Sequence, residues 1–259
     1  MSIKTVRYLL LIGTMLSLIG CSSLEEEDKY ADLPATTLLS YARTALDDGD
    51  FEEAINLYRE LESRFPYGKP AEQAQLDVAY AYYKNEEPQL AVAAADRFIR
   101  LHPTHERVDY AFYLKGIASY RERTGYVAKV TGTNDLSNRD TKPAQDAYSA
   151  FRELVTRFPN SPYADDARQR MVYMVNVLAR HDISVARYYL SHGAYVAVLN
   201  RTKKVVEEYQ RTPSVEDALG LMAIAYREMG LTDLMTDTVR ILEKNFPESP
   251  YLAEIKADS

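Results

Sequence analysis

Ring-and-proline pairs that return at near-regular intervals constrain this chain more than any other feature. Arg64-Phe65-Pro66-Tyr67, Leu101-His102-Pro103-Thr104, Arg157-Phe158-Pro159-Asn160 and Asn245-Phe246-Pro247-Glu248 each close a segment of similar pattern. Glu208-Tyr209-Gln210 stands where a fifth should, its proline deferred to Pro213. Pro66 to Pro103 is 37 residues and Gln210 to Pro247 is again 37, so the longer steps between them predict insertions. Self-similarity at such a period marks stacked supersecondary units that share one continuous core.

Each unit reads as a helical hairpin. Leu38, Leu39, Ala42, Ala45 and Leu46 recur at three- and four-residue spacing, which draws an apolar stripe along one helix. Asp47-Asp48-Gly49-Asp50 stops that helix, and 51–65 forms its partner. Small residues at Ala42 and Ala54 let the two helices approach, while Tyr58 and Leu61 fill the grooves beside them. Pro66 and Pro70 punctuate the exit, because proline lacks the amide hydrogen that a continuing helix needs. One hairpin cannot bury its stripe alone, so neighbours must stack.

The second unit repeats the pattern through Ala79, Tyr82, Ala91, Phe98 and Pro103, and the fifth through Ala223, Tyr226, Gly230 and Pro247, with Met235 where a small residue is expected. The third places Gly116 on its first helix and Ala147, Phe151, Leu154 and Pro159 on its second; between them, 124–143 is too rich in Gly and Asn for regular helix. In the fourth, 163–180 already fills a helix and 183–190 precedes Gly193, which predicts a long or broken extra helix. The pattern resembles the tetratricopeptide repeat. That resemblance implies an all-α, right-handed superhelical solenoid of about five hairpins: repeats 1–2 over 36–106, repeat 3 over 107–160 with its inserted loop, and repeats 4–5 over 161–255.

The amino end carries Lys4 and Arg7, an apolar stretch over 8–19, and Leu18-Ile19-Gly20-Cys21. That order is an export signal, too short to span a bilayer, which takes roughly 20 apolar residues. The only cysteine of the chain falls at the cleavage point, so the segment resembles a bacterial lipobox. The resemblance implies removal of 1–20, an S-diacylglycerol and an N-acyl group on Cys21, and sorting to the periplasmic face of the outer membrane, since Ser22 rather than Asp follows. An ordinary signal peptide with an incidental cysteine is the alternative. Several acyl chains anchor a protein stably. Residues 21–35, with Glu25, Glu26, Glu27, Asp28 and Pro34, read as an extended acidic tether.

The charge of −7 becomes −9 once Lys4 and Arg7 leave with the leader, which argues against nucleic acid as a partner and against a basic lipid-binding face. No disulfide is possible. His102, His105, His181 and His192 make no metal-ligand spacing, and His102 and His105 flank a repeat turn, where turn-capping or solvent exposure accounts for them. Gly125 to Gly132 lacks the ending of a phosphate loop, and no serine sits in a nucleophile elbow. Glu52-Glu53 and Asp165-Asp166 start helices, where negative charge meets the dipole favourably. Catalysis is therefore not expected, nor any cofactor beyond the covalent lipid. Tyrosine is abundant, with 21 copies and no Trp, and Tyr58, Tyr80, Tyr82, Tyr120, Tyr189 and Tyr226 sit at groove positions that packing explains. Tyr80, Tyr82 and Tyr83 nevertheless point to different sides of one helix, so at least one is expected to be exposed; Tyr80 and Tyr83 are candidate peptide contacts.

Three strings go beyond generic repeat spelling: 75–85 (QLDVAYAYYKN), 96–105 (DRFIRLHPTH) and 184–201, with its SVARYY and GAYVAVLNR. They resemble the BamD family of outer-membrane assembly lipoproteins, also called ComL or YfiO. The resemblance implies a non-catalytic subunit of the machine that folds and inserts β-barrels. Its amino-terminal repeats would present a groove to unfolded barrel substrates, and its carboxy-terminal repeats would dock the periplasmic domains of BamA and support accessory Bam lipoproteins. By motif position it makes Phe65 and Tyr67 candidate substrate contacts and Arg201 a candidate for coupling to BamA. Phe65 equally suits a repeat-closing core residue, and Arg201 a solvated charge. A lipidated periplasmic adaptor for peptidoglycan synthesis or proteolysis, and a small-ligand site between repeats, are the other classes open to the same repeats.

Overall fold

A computed structural model describes residues 30, 32–120 and 140–257. Cys21, the acidic cluster at 25–28 and most of the 124–143 insertion lie outside the described residues. Eleven helices follow one another among those described: α1 (Ala35–Asp48), α2 (Phe51–Arg64), α3 (Lys69–Lys84), α4 (Pro88–Leu101), α5 (Val108–Ser119), α6 (Lys142–Arg157), α7 (Ala164–Ser191), α8 (Tyr195–Glu208), α9 (Ser214–Glu228), α10 (Thr232–Asn245) and α11 (Pro250–Ala257). Each packs on the next in sequence, and α1 on α3, α3 on α5, α7 on α9 and α9 on α11 one step further. Contacts confined to near neighbours are the signature of a stacked repeat array.

The repeat is carried by the backbone as well as by composition. Phe65, His102, Phe158, Tyr209 and Phe246 each end the second helix of a hairpin with φ between −120° and −136°. Each donates its amide to the carbonyl four residues back, on Leu61, Phe98, Leu154, Val205 and Leu242, whose side chains are all fully buried. Proline follows four of the five and disfavours helical geometry at the residue before it, so the chain turns out at that point.

The hairpins close on small residues. Ala42 and Ala54, Ala79 and Ala91, Ala186 and Val198, and Ala223 and Met235 are all pairs twelve positions apart, and Ala42, Ala54, Ala79, Ala91, Ala186, Val198 and Ala223 are fully buried. Gly116 holds the equivalent place in α5, where a Cβ would come within 2.4 Å of the Phe151 ring. Its partner Ala147 lies 31 residues on, so 19 residues are inserted, the length of 121–139. Lys142 and Pro143 open α6, so the insertion ends before them rather than at 143.

The first helix of the aberrant fourth unit is long and unbroken. α7 has 28 residues where α1, α2, α4, α8 and α10 have 14. Its first half (Ala164, Ala167, Met174, Val177, Leu178) belongs to a core shared with α5 and α6. Its second half (Ala179, Ile183, Ala186) belongs to one shared with α8 and α9. α7 thus joins two cores as a single rod. α11 is an addition that the sequence pattern does not announce; its Tyr251 ring lies so close to Gly220 of α9 that a Cβ there would meet it at 2.2 Å.

The end of the tether is also part of the fold. Tyr30 packs on the first hairpin's core, and its hydroxyl donates to Glu53 Oε1 at 3.0 Å. The spacer expected over 21–35 is therefore bound to the first hairpin over its last residues.

Candidate functional site

At the amino-terminal end the predicted contacts fall into two places rather than one. Phe65 ends α2, half-buried, with the Arg64 guanidinium 5.2 Å over its ring. Tyr67 follows Pro66 and is 90% exposed. Gly68 then takes φ +94° to start α3, a conformation L side chains rarely adopt, which fixes how Tyr67 is presented. Tyr80 and Tyr83 lie 6.5 Å apart near the other end of α3, against Ala79, Ala95 and Leu114. The helical rise puts them roughly 17 Å from the turn that carries Phe65 and Tyr67. Tyr82 turns the opposite way, into the core of the first hairpin. All three tyrosines are half-buried and none is largely exposed, a correction to the expected free ring. The physical reason is that each lies along a seam between helices.

Between these places Asp77 of α3 accepts from Gln73 Nε2 at 2.6 Å and from Arg43 Nε at 3.3 Å, tying α3 to α1. Burial raises its pKa, and these bonds only partly offset that. The neighbouring Tyr58 hydroxyl is fully buried with no hydrogen-bond partner among the described residues. Burial, then the negative charge of Asp77, pushes its pKa up. His102 Nε2 donates to Gln75 Oε1 at 2.7 Å, tying the end of α4 to α3, and His105 Nδ1 accepts the Arg107 amide at 3.0 Å within the α4–α5 turn.

The carboxy-terminal candidate is built around a buried charge. Asp182, in the middle of α7, is 3% exposed, yet it carries two ion pairs: Arg201 Nη1 at 2.9 Å on one oxygen and Lys204 Nζ at 3.0 Å on the other. Arg201 and Lys204 are three residues apart on α8 and so share a face of it. Burial works against the Lys204 charge, but the hydrogen bonds and charge interactions with Asp182 and Tyr209 together outweigh it and hold this lysine above its ordinary range. Arg201 keeps 40% of its side chain exposed. It is therefore neither a free solvated charge nor a buried one. A carboxylate with two cations tolerates burial that a lone one does not.

Two further clusters were not legible beforehand. Arg187 of α7 donates to Asp217 of α9 at 2.7 Å and to the Tyr251 hydroxyl of α11 at 3.2 Å, and Tyr251 donates to Asp217 at 2.7 Å. Tyr113 of α5 donates to Asp166 of α7 at 2.7 Å, and Arg170 donates to the same oxygen at 2.6 Å. Desolvation opposes ionisation of Asp166, but the bonds from Arg170 and Tyr113 outweigh it and lower its pKa. Among the described residues there is no cluster of metal-ligating side chains and no helix long and apolar enough to cross a membrane. A cavity of about 490 Å³ beside Arg240, Ile241, Lys244 and Asn245 lies along α10 alone rather than between repeats.

A stacked helical-hairpin array with an aromatic turn at one end and a buried carboxylate held by two cations at the other belongs to the class of tetratricopeptide-like scaffolds. The family model described as an outer membrane lipoprotein, YfiO, matches residues 31–242, and the chain belongs to that family. The outer membrane protein assembly factor BamD of Neisseria meningitidis serogroup A is 44% identical, over 95% of this chain and 93% of that protein. The protein of the same name from Neisseria gonorrhoeae is 44% identical over 95% and 93%. The one from Vibrio cholerae is 38% identical over 88% and 93%.

Proposed function

We propose that this chain is a non-catalytic lipoprotein scaffold of the β-barrel assembly machinery, aiding recognition, folding and insertion of outer-membrane proteins. The observation that carries the proposal is membership of the YfiO family together with relatives named as assembly factors along nearly their whole length. In this reading Cys21 carries the lipid that holds the chain at the periplasmic face of the outer membrane. The aromatic turn at Phe65 and Tyr67, with Tyr80 and Tyr83, receives extended segments of unfolded barrels. A preformed concave array asks little ordering of the scaffold when such a segment binds. Arg201 couples repeats 4–5 to the periplasmic domains of BamA, and the remaining surface supports accessory Bam lipoproteins. The half-exposed guanidinium supports that role, because Asp182 orients it while leaving donors free.

Affinity purification of the full lipidated chain from detergent-solubilised membranes tests the proposal. BamA is expected to co-purify and to be lost when 161–255 are removed. Recovery of only peptidoglycan enzymes or a protease would replace this reading with that of a different periplasmic adaptor. A mass for the mature chain without acyl groups, differing from that of Cys21→Ser only by the exchange of sulfur for oxygen, would remove the anchor.

A further inference from the structure

Arg64 does more than flank Phe65. Its guanidinium donates from Nη1 to the Tyr30 carbonyl at 2.7 Å and from Nη2 to the Leu33 carbonyl at 2.9 Å, while Nη1 also pairs with Glu60 at 2.7 Å. Those two carbonyls are the two ends of one tight turn, closed by the Leu33 amide donating to the Tyr30 carbonyl at 3.1 Å. The Tyr30 ring lies 5.7 Å from Tyr41 and its hydroxyl reaches Glu53, so α1 and α2 both grip the segment. A planar fork with fixed donors suits two carbonyls at set spacing, which a lysine ammonium does not reproduce.

We propose that Arg64 is a clasp that fastens the end of the tether to the first hairpin and thereby sets how far the array stands from the membrane. The proposal rests on lipidation of Cys21. Nine residue steps separate Cys21 from Tyr30, which span at most roughly 32 Å when fully extended; fourteen steps to Ala35, without the clasp, would reach roughly 50 Å. The clasp also fixes where the chain leaves the array: beside the α2 end that carries Phe65 and Tyr67. The aromatic turn is thus the part of the scaffold with the shortest leash to the lipid.

The test uses Arg64→Lys, which keeps the charge and the Glu60 pairing but not the fork. Hydrogen exchange of the Leu33 amide is measured first in a full mature chain carrying Cys21→Ser, where no lipid is involved. Exchange about tenfold faster in Arg64→Lys is expected, the scale of one charge-assisted hydrogen bond. Equal exchange in the two chains overturns the clasp. Neutron reflectometry on supported bilayers bearing the lipidated chains then reads the protein-to-bilayer gap, expected to widen in Arg64→Lys by up to roughly 18 Å, the five released residue steps. An unchanged gap with faster Leu33 exchange overturns the role in standoff. Failure of the unaltered mature chain to bind the bilayer removes the anchor itself and with it the standoff role, while the exchange result still reports whether the clasp exists.

Discussion

Tyr67 stands 90% exposed on a turn fixed by Pro66 and Gly68, while Arg201 at the other end of the array is held at 2.9 Å by a carboxylate that is itself 3% exposed. The first presents an aromatic ring with almost nothing behind it, a form that can adapt to segments of varied sequence. The second is oriented by an ion cluster that also joins α7 to α8, a form that suits one partner in one geometry. Variation at the first end should change what binds without touching the fold. At the second, the proposed partner contact and the fold would share the same atoms.

The largest effect that would sharpen this contrast comes from removing both cations. Arg201→Met with Lys204→Met leaves Asp182 buried and unpaired, and denaturant unfolding is expected to show a loss of roughly 3–5 kcal/mol, well beyond the sum of the two single variants. Additive singles would mean that the two cations do not back each other up. Gly116→Val is next, since its side chain has to enter the Phe151 ring, and a loss of about 1–3 kcal/mol is expected by the same measurement. Lys204→Met alone should cost about 1 kcal/mol, because Arg201 remains on Asp182. At the amino end Tyr67→Ala is expected to stay within about 0.5 kcal/mol of the unaltered chain while weakening capture of an unfolded barrel segment in a binding titration. The smallest effect concerns acid. Asp166 has its folded pKa below the ordinary 3.8, so its contribution is present above pH 3.8 and lost as pH falls through the lower folded value. Asp166→Asn should flatten that part of an acid unfolding curve.

The fold was legible to the extent that it is written in local signals. Proline after a ring residue, alanine at the close helix contact and leucine one turn before the end each act within a single hairpin, and Pro66, Ala54 and Leu61 stand where their spacing requires. The length of α7 was open because nothing in 163–190 breaks a helix, and only the second cation on Asp182 explains how a charged residue sits in its buried middle. α11 leaves no mark in the pattern because the eight residues from Pro250 to Ala257 carry too little periodicity to register, although Gly220, a residue without a side chain at a fully packed place, is the available clue. For the sites, exposure decided what spacing could not. Tyr67 and Tyr80 look alike in sequence, yet one is free and the other lies in a seam. Arg64 stands out in the sequence only as the residue before Phe65, since two of its partners are backbone carbonyls more than thirty positions away and leave no mark in the sequence.

The proposed division of labour between the two ends is tested most directly by purifying lipidated Tyr67→Ala and Arg201→Met chains side by side from detergent-solubilised membranes and measuring both bound BamA and captured unfolded barrel. Tyr67→Ala is expected to keep BamA and lose substrate, and Arg201→Met, which leaves Lys204 on Asp182, to lose BamA and keep substrate in a folded chain. Equal loss of both by either variant, or retention of both by the two, would contradict separate sites at the two ends of one scaffold.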